Sequence, residues 1–295
     1  MNETMDKSGV VQVEERSQQP DTASDRRPDH ITNEVFDRKL NFCPAIFGQW
    51  LQPFLDLSKS AILDFGCGDG AMALGIALRL KARRVIGVDV VHDFDILPRI
   101  AQEQIGLSNL PDNLELHLIK PNTQLASQFH VDCVFTWSVF EHIDQGYLDD
   151  VVSDLREVIS PNGYVFLQIG PLYYSGHGSH LHDFIKEPWA HLSLQHDKLR
   201  ESVLNAKNTI ITGQIINAVD EGQFQEHKQR AWQCYETLNK VTGDDIVELF
   251  ERHGFTTIRE HRTECAGEPS NKLKRVFSEN VLKNEQIAIL FQKVT

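Results

Sequence analysis

The stretch Ala61–Ala77, AILDFGCGDGAMALGIA, decides how this chain folds. Ala61–Phe65 is a short apolar run that reads as a strand, and Ala71–Leu80 reads as a helix. Between them stand three alternating glycines, Gly66, Gly68 and Gly70. A glycine-rich turn that joins a strand to a helix is a usual seat for a nucleotide. Glycine accepts left-handed backbone there and puts no Cβ between the main chain and a ligand. An acid, Asp64, closes the strand two residues before the first glycine.

Outward from this turn, apolar runs and helical periods alternate. Arg84–Asp89 reads as the second strand, Leu114–Leu118 as the third, Val131–Thr136 as the fourth and Tyr164–Ile169 as the fifth. Helical spacing fills Ile96–Ile105 and Tyr147–Ile159, and SPNG at Ser160–Gly163 reads as a turn. Ahead of the first strand, PAIFGQWLQPFLDL has apolar residues at helical spacing and predicts a short helix broken near Pro53. This rhythm means parallel strands with helices on both faces. It lapses from Gly170 to Val241 and resumes at Thr242, where Thr242 and Asp245 can cap a helix that stops at Gly254. Thr256–Glu260 and Ile287–Gln292 are the last two strand candidates.

The 295 residues suffice for one sizeable α/β core, and an apolar share of 41% suits a globular chain. A net charge of -13 argues against coating a phosphate backbone, so nucleic acid is not an expected partner. Cys43, Cys67, Cys133, Cys234 and Cys265 are odd in number and contain no CxxC pair, which fits reduced thiols in a cytoplasmic protein. The first residues are polar and charged, so no signal peptide is expected, and no apolar run approaches ~20 residues, so no membrane span is either. Residues 1–31 read as a disordered polar tail and 32–295 as one domain, with 170–241 inserted as a substrate cap.

Two nucleotide ligands compete for the glycine turn. GCGDGA also fits the dinucleotide pattern GxGxx[GA] with Gly66, Gly68 and Ala71, and Asp89 ends the next strand where a ribose-binding acid belongs. That would make the chain an NAD-dependent oxidoreductase. Asp64 separates the two, because a carboxylate beside the turn repels a pyrophosphate and attracts a ligand bearing an ammonium and a sulfonium. S-adenosylmethionine is such a ligand, and Asp89 can accept from both of its ribose hydroxyls.

DFGCGDG, GVD ending at Asp89, VDCVFTWSVFEHI at Val131–Ile143 and REVISPNGYVFLQ together resemble the motifs of class I S-adenosylmethionine-dependent methyltransferases, and of their type-11 group in particular. The resemblance implies a Rossmann-like, doubly wound, mostly parallel seven-stranded sheet with an antiparallel last strand. It implies a cofactor site at Asp64, Gly66, Cys67, Gly68, Gly70 and Asp89, with Trp137 walling the pocket. The family's acid for the adenine amino group has no counterpart in IKPNTQLASQFH, where Asn122 is the nearest match.

Methyl transfer needs an aligned acceptor and, where the acceptor carries a proton, a base. GPLYYSGHGSHLHDF, after the fifth strand, supplies His177, His180, His182 and Asp183, and Trp189 and His191 follow in PWAHL. The GxHL and PWxHL pattern is similar to that of type-11 methyltransferases of glycan and envelope-polymer biosynthesis, which suggests a small-molecule or glycan-type acceptor. His177 and His180 are candidate catalytic residues, as is His142 in FEHI, with Glu141 beside it. The loop histidines fit equally a set of carbonyl-satisfying, packing residues. As metal ligands they match no strong spacing signature, and no metal is expected. Outside enzymes, an inactive cofactor-binding partner subunit has the same motifs.

Overall fold

The apolar runs pair into one sheet in a computed structural model, which describes residues 31–207 and 220–294. In chain order the strands are β1 (Ala61–Phe65), β2 (Arg84–Asp89), β3 (Leu114–Leu118), β4 (Val131–Trp137), β5 (Ile159–Ile169), β6 (Phe255–Glu264) and β7 (Asn284–Lys293), and they lie side by side as β3-β2-β1-β4-β5-β7-β6. The first five are parallel. β7 runs antiparallel to both β5 and β6.

Alternate residues of the strands feed opposite faces, as a pleated sheet covered on both sides requires. Ile62, Cys133, Phe135 and Phe166 join one buried cluster with Phe47, Trp50, Leu74 and Ile76 from the helices Cys43–Leu51 and Ala71–Arg79. Phe47 meets Phe135 edge-on at 5.0 Å between ring centroids, and Phe135 stacks on Phe166 at 5.9 Å. Leu63, Val134, Val165 and Ile289 join the other cluster, with Leu155 and Phe250 from the helices Leu148–Val158 and Gly243–Arg252.

Three elements differ from the sequence expectation. The helix ahead of β1 continues back to Glu34, and Arg38–Phe42 within it has π-helical hydrogen bonding. β6 and β7 are longer at both ends than their apolar runs, because they pair mainly with each other and β6 is mostly exposed. SPNG is a bulge inside β5 rather than a turn before it. Val131 pairs with Ile159 and Cys133 with Tyr164, so the residues between them loop out, with Asn162 at φ 62°. The Thr242–Asp245 capping box forms on both sides, and Gly254 ends its helix region at φ 77°.

The tail expectation falls on residues 1–30, outside the described residues. Ile31 already packs on the core, and the Thr32 and Asn33 amides both donate to Gln104 Oε1 at 2.9 Å. Within 170–241 a coiled loop leads to short helices at Ala190–Ser193 and His196–Leu204, and then to Glu221–Thr237. Part of the cap expectation, 208–219, lies outside the described residues. Among those described, no helix is long and apolar enough to cross a membrane.

This strand order puts the winding reversal between β1 and β4. The crevice beyond the carboxyl ends of strands at such a point is where open α/β sheets take ligands. The glycine turn after β1 and the WSVFEHI segment after β4 both open there.

Candidate functional site

The three glycines all adopt left-handed backbone, at φ 78°, 54° and 77° for Gly66, Gly68 and Gly70. The turn is tied to β2: the Gly66 and Cys67 amides donate to Val88 O at 2.9 and 3.0 Å. A Cβ on Gly66 would lie 2.3 Å from Val139 Cγ2, so Val139 closes over this residue. A Cβ on Gly68 would meet nothing within 4 Å. The main chain at Gly68 is therefore open to close approach by a ligand.

Asp89 links the two turns. Its Oδ2 accepts from the Gly68 amide at 2.7 Å, and its Oδ1 accepts from the Val91 amide at 2.9 Å. Each carboxylate oxygen keeps a further lone-pair direction for a ribose hydroxyl. Asp69, inside the glycine turn, accepts from the Ala71 amide at 3.1 Å and pairs with Lys39 from the N-terminal helix.

Asp64 is completely buried, and neither of its carboxylate oxygens has a hydrogen-bond partner among the described residues. Burial pushes its pKa well above the ordinary value, and the nearby charges of Asp89 and Asp69 push the same way. The sequence reading took Asp64 as an ionised acid displayed at the turn. The structure instead surrounds one turn with three acids, of which Asp64 is the desolvated one. The negative character of the turn then belongs to the trio and not to Asp64 alone.

The raised pKa gives a test. A carboxyl raised in the folded state contributes its full stability below its unfolded pKa and loses it as the pH rises through the folded one. Asp64→Asn cannot ionise, so its stability relative to wild type should grow as the pH rises from the ordinary carboxyl value of 3.8. Glu141, pushed up to about 8 by burial, gives a slope of the same sign in both proteins and cancels in the difference. Denaturant midpoints of both proteins at mildly acid and mildly alkaline pH read this out. A constant offset between them would mean that the Asp64 carboxyl has the same pKa in the folded and the unfolded chain.

The remaining cofactor candidates fall as follows. The Cys67 thiol is buried with its sulfur toward Gly87, and burial pushes its pKa up, so only its main chain faces the turn. Trp137 ends β4 and packs beside Phe135 and Phe166 at 6.1 and 6.2 Å. Asn122 is exposed in a turn after β3, at φ 63°, where the Thr123 amide donates to Lys120 O.

The candidate catalytic histidines divide. His180 Nε2 donates to Pro171 O at 3.0 Å, and burial pushes its pKa down to about 3. It is thus a neutral imidazole that satisfies a loop carbonyl. His191 is similar: its Nε2 donates to Tyr173 O at 2.6 Å, and burial pushes it down to about 4. His142 is exposed as a residue, yet its ring lies against His180 at 5.1 Å and against Cys234 Sγ at 3.5 Å, and this packing lowers its pKa. Glu141 is buried, with Oε1 accepting from the Gly170 amide at 3.4 Å.

His177 differs from the other loop histidines. Its Nδ1 donates to Glu285 Oε1 at 2.7 Å, and both residues line an open cleft of about 360 Å³ with Gly170, Pro171, His182, Thr263 and Gln286. A short run of contacts links the glycine turn to Gly170 at the rim of the cleft. Val139 covers Gly66, and Ser138 beside it donates through Oγ to Gly170 O at 3.3 Å. His182 lies 4.0 Å from Asp183, which also accepts from His227 Nε2 at 3.1 Å. Among the described residues no group of three or more His, Cys, Asp and Glu side chains is arranged to hold a metal ion.

Four residues of this region escaped the sequence reading: Val139, Lys39, Asn239 and Glu285. Asn239 holds the turn after β4 by donating through Nδ2 to the Phe140 and Ile143 carbonyls. Glu285 sits 108 positions from His177, and no local pattern marks it.

Residues 63–165 match a family described as "Methyltransferase domain". The chain is 32% identical over 123 residues to a ribosomal protein L11 methyltransferase from Haemophilus ducreyi, covering 42% of this chain and 38% of that protein. It is 35% identical over 119 residues to the protein of the same name from Tolumonas auensis, covering 40% and 36%. The match thus spans less than two fifths of these relatives' own length. Among solved structures, the magnesium protoporphyrin IX methyltransferase of Synechocystis PCC 6803, with bound SAH, superposes with a TM-score of 0.50 at 12% identity, over 88% of this chain and 85% of that one. The last likeness is one of fold.

Proposed function

We propose that this chain, whose residues 63–165 form a methyltransferase domain of the class I fold, transfers a methyl group from S-adenosylmethionine to a small polar acceptor. The observation that carries the reading is the glycine turn itself, with an open main-chain face at Gly68, a bridging carboxylate at Asp89 and an unpartnered buried acid at Asp64. That donor set suits a cationic nucleoside and opposes a dinucleotide's phosphates.

S-adenosylmethionine, when bound, supplies a methyl group already activated on a sulfonium. What this chain contributes is position and charge. Asp89 accepts from the ribose hydroxyls, the acids around the turn hold the positive end, and Trp137 and Asn122 are the proposed contacts at the pocket wall and the adenine. Residues 170–241 serve as the cap, and the cleft at Gly170 takes the acceptor. His177 faces that cleft and receives the acceptor's proton. His180 and His191, each committed to a loop carbonyl, keep the loop in shape.

The family match ends at residue 165, before the cleft begins, so the acceptor is inferred from the cleft alone. A glycan precursor fits its size. A protein acceptor, as the name of the L11 methyltransferases indicates for them, is the second reading and rests on their similarity.

The test is a thermal one joined to a transfer assay. S-adenosylmethionine and S-adenosylhomocysteine should each raise the unfolding temperature, by the equivalent of about 2.7 kcal/mol at a hundred times their Kd, and NAD should not. Stabilisation by NAD alone would sink the reading. Stabilisation by S-adenosylmethionine without transfer to metabolite or ribosomal-protein fractions would mark an inactive cofactor-binding subunit.

A further inference from the structure

Glu285 opens β7, the strand antiparallel to β5, so its carboxylate emerges at the same end of the sheet as Gly170. The loop after β5 coils back on itself there. The Ser175 amide donates to Leu172 O and the His180 amide to His177 O, which brings His177 over the start of β7. Leu172 is tied to the same place, its amide donating to Glu285 O at 2.8 Å. With Nδ1–H given to Glu285, the neutral imidazole has its lone pair on Nε2, and Nε2 makes no hydrogen bond among the described residues. Glu285 carries the negative charge of the cleft, and its lining residues include no Lys or Arg to receive an anionic substrate. Its volume of about 360 Å³ suits a molecule of monosaccharide to nucleoside size.

We propose that Glu285 is a positioning residue that fixes His177 with Nε2 as acceptor toward the cleft, and that the acceptor taken there is a neutral compound methylated on a hydroxyl. This rests on the methyltransferase reading above and adds the acceptor's chemistry to it. In the step, the hydroxyl's O–H bond breaks and its proton moves to His177 Nε2. The oxygen forms the new bond to the methyl carbon, and the electrons of the broken carbon–sulfur bond stay on sulfur. The sulfonium charge disappears as imidazolium charge appears beside Glu285. The proton then leaves to solvent, so the balance is alcohol plus sulfonium giving ether, thioether and a proton.

Two measurements on the full chain test this. The first needs no cofactor: nitrogen-detected NMR of the histidine rings in the ligand-free protein. His177 should show the Nδ1–H tautomer, and Glu285→Ala, which removes the acceptor, should release the ring from that tautomer. The opposite tautomer, or a tautomer unchanged in Glu285→Ala, would overturn the positioning role. The second is transfer of labelled methyl from S-adenosylmethionine into a metabolite pool divided by ion exchange. Label should enter the neutral fraction as a base-stable ether. The rate in Glu285→Ala should fall about 10²-fold, at the low end of what a positioned base contributes, with the loss in kcat and the KM for the acceptor little changed. Label confined to amine or anionic products would overturn the hydroxyl assignment. If S-adenosylmethionine fails to bind at all, the function fails while the NMR result on the His177–Glu285 pair still stands.

Discussion

Replacing His177 with Ala lowers methyl transfer by about 10²–10⁴-fold, the contribution of a positioned general base, and leaves the affinity for S-adenosylmethionine unchanged. The expectation follows from geometry: His177 lines the cleft proposed for the acceptor and pairs with Glu285. The other loop histidines provide the contrast. His180→Ala and His191→Ala each leave a carbonyl, Pro171 O or Tyr173 O, without its donor. They should lower stability by about 1–3 kcal/mol, with turnover per folded molecule changing much less than in His177→Ala. Measuring activity and unfolding on the three variants together decides the matter. If His177→Ala keeps full activity, the cleft is a lid and not the place of proton transfer.

Gly66→Ala should be strongly damaging, because strain and overpacking add at this position. At φ 78° a Cβ costs about 1–2 kcal/mol in backbone strain alone. It would also stand 2.3 Å from Val139 Cγ2 and 2.7 Å from Cγ1, an overpacking worth about 1–3 kcal/mol more. The glycine turn can relieve both only by shifting, which moves the Gly68 amide off Asp89 and weakens cofactor binding. The double variant Gly66→Ala, Val139→Ala separates the two causes. It removes the clash and leaves the strain, so it should recover about half of the lost stability. Full recovery would mean that backbone strain is negligible here, and no recovery would mean that Val139 is not the neighbour that matters. Denaturant unfolding gives the stability, and calorimetric titration with S-adenosylhomocysteine gives the affinity.

The short apolar strands and the glycine turn were legible in the sequence because each is a local matter. Strands β1 and β2 coincide with their apolar runs, since a buried parallel strand must be largely apolar and therefore declares its own ends, and the edge strand β3 coincides through the alternation of Leu114, Leu116 and Leu118. The three alternating glycines announced left-handed backbone, and all three adopt it. The Thr242–Asp245 box is a four-residue device that is complete without any distant partner. Where an element depends on a neighbour far along the chain, the sequence misled. β6 and β7 outrun their apolar cores because their ends are held by each other's ladder, and SPNG stays within β5 because β4 pairs on both sides of it.

The site divides along the same line. The residue types were visible: acids at the turn and at the end of β2, and histidines after β5. Their states were not. Whether Asp64 is displayed or buried depends on the sheet closing over it. Whether a loop histidine faces a carbonyl or a carboxylate depends on how the loop lies against β7, whose start is 108 residues from His177. Hydrogen bonding and desolvation act over a few ångströms, and separation along the chain says nothing about separation in space until the strand order is set. The sequence by itself therefore determined the sheet and the turn. The tertiary structure alone distinguished His177, held by Glu285, from His180, held by Pro171, and set Val139 on Gly66.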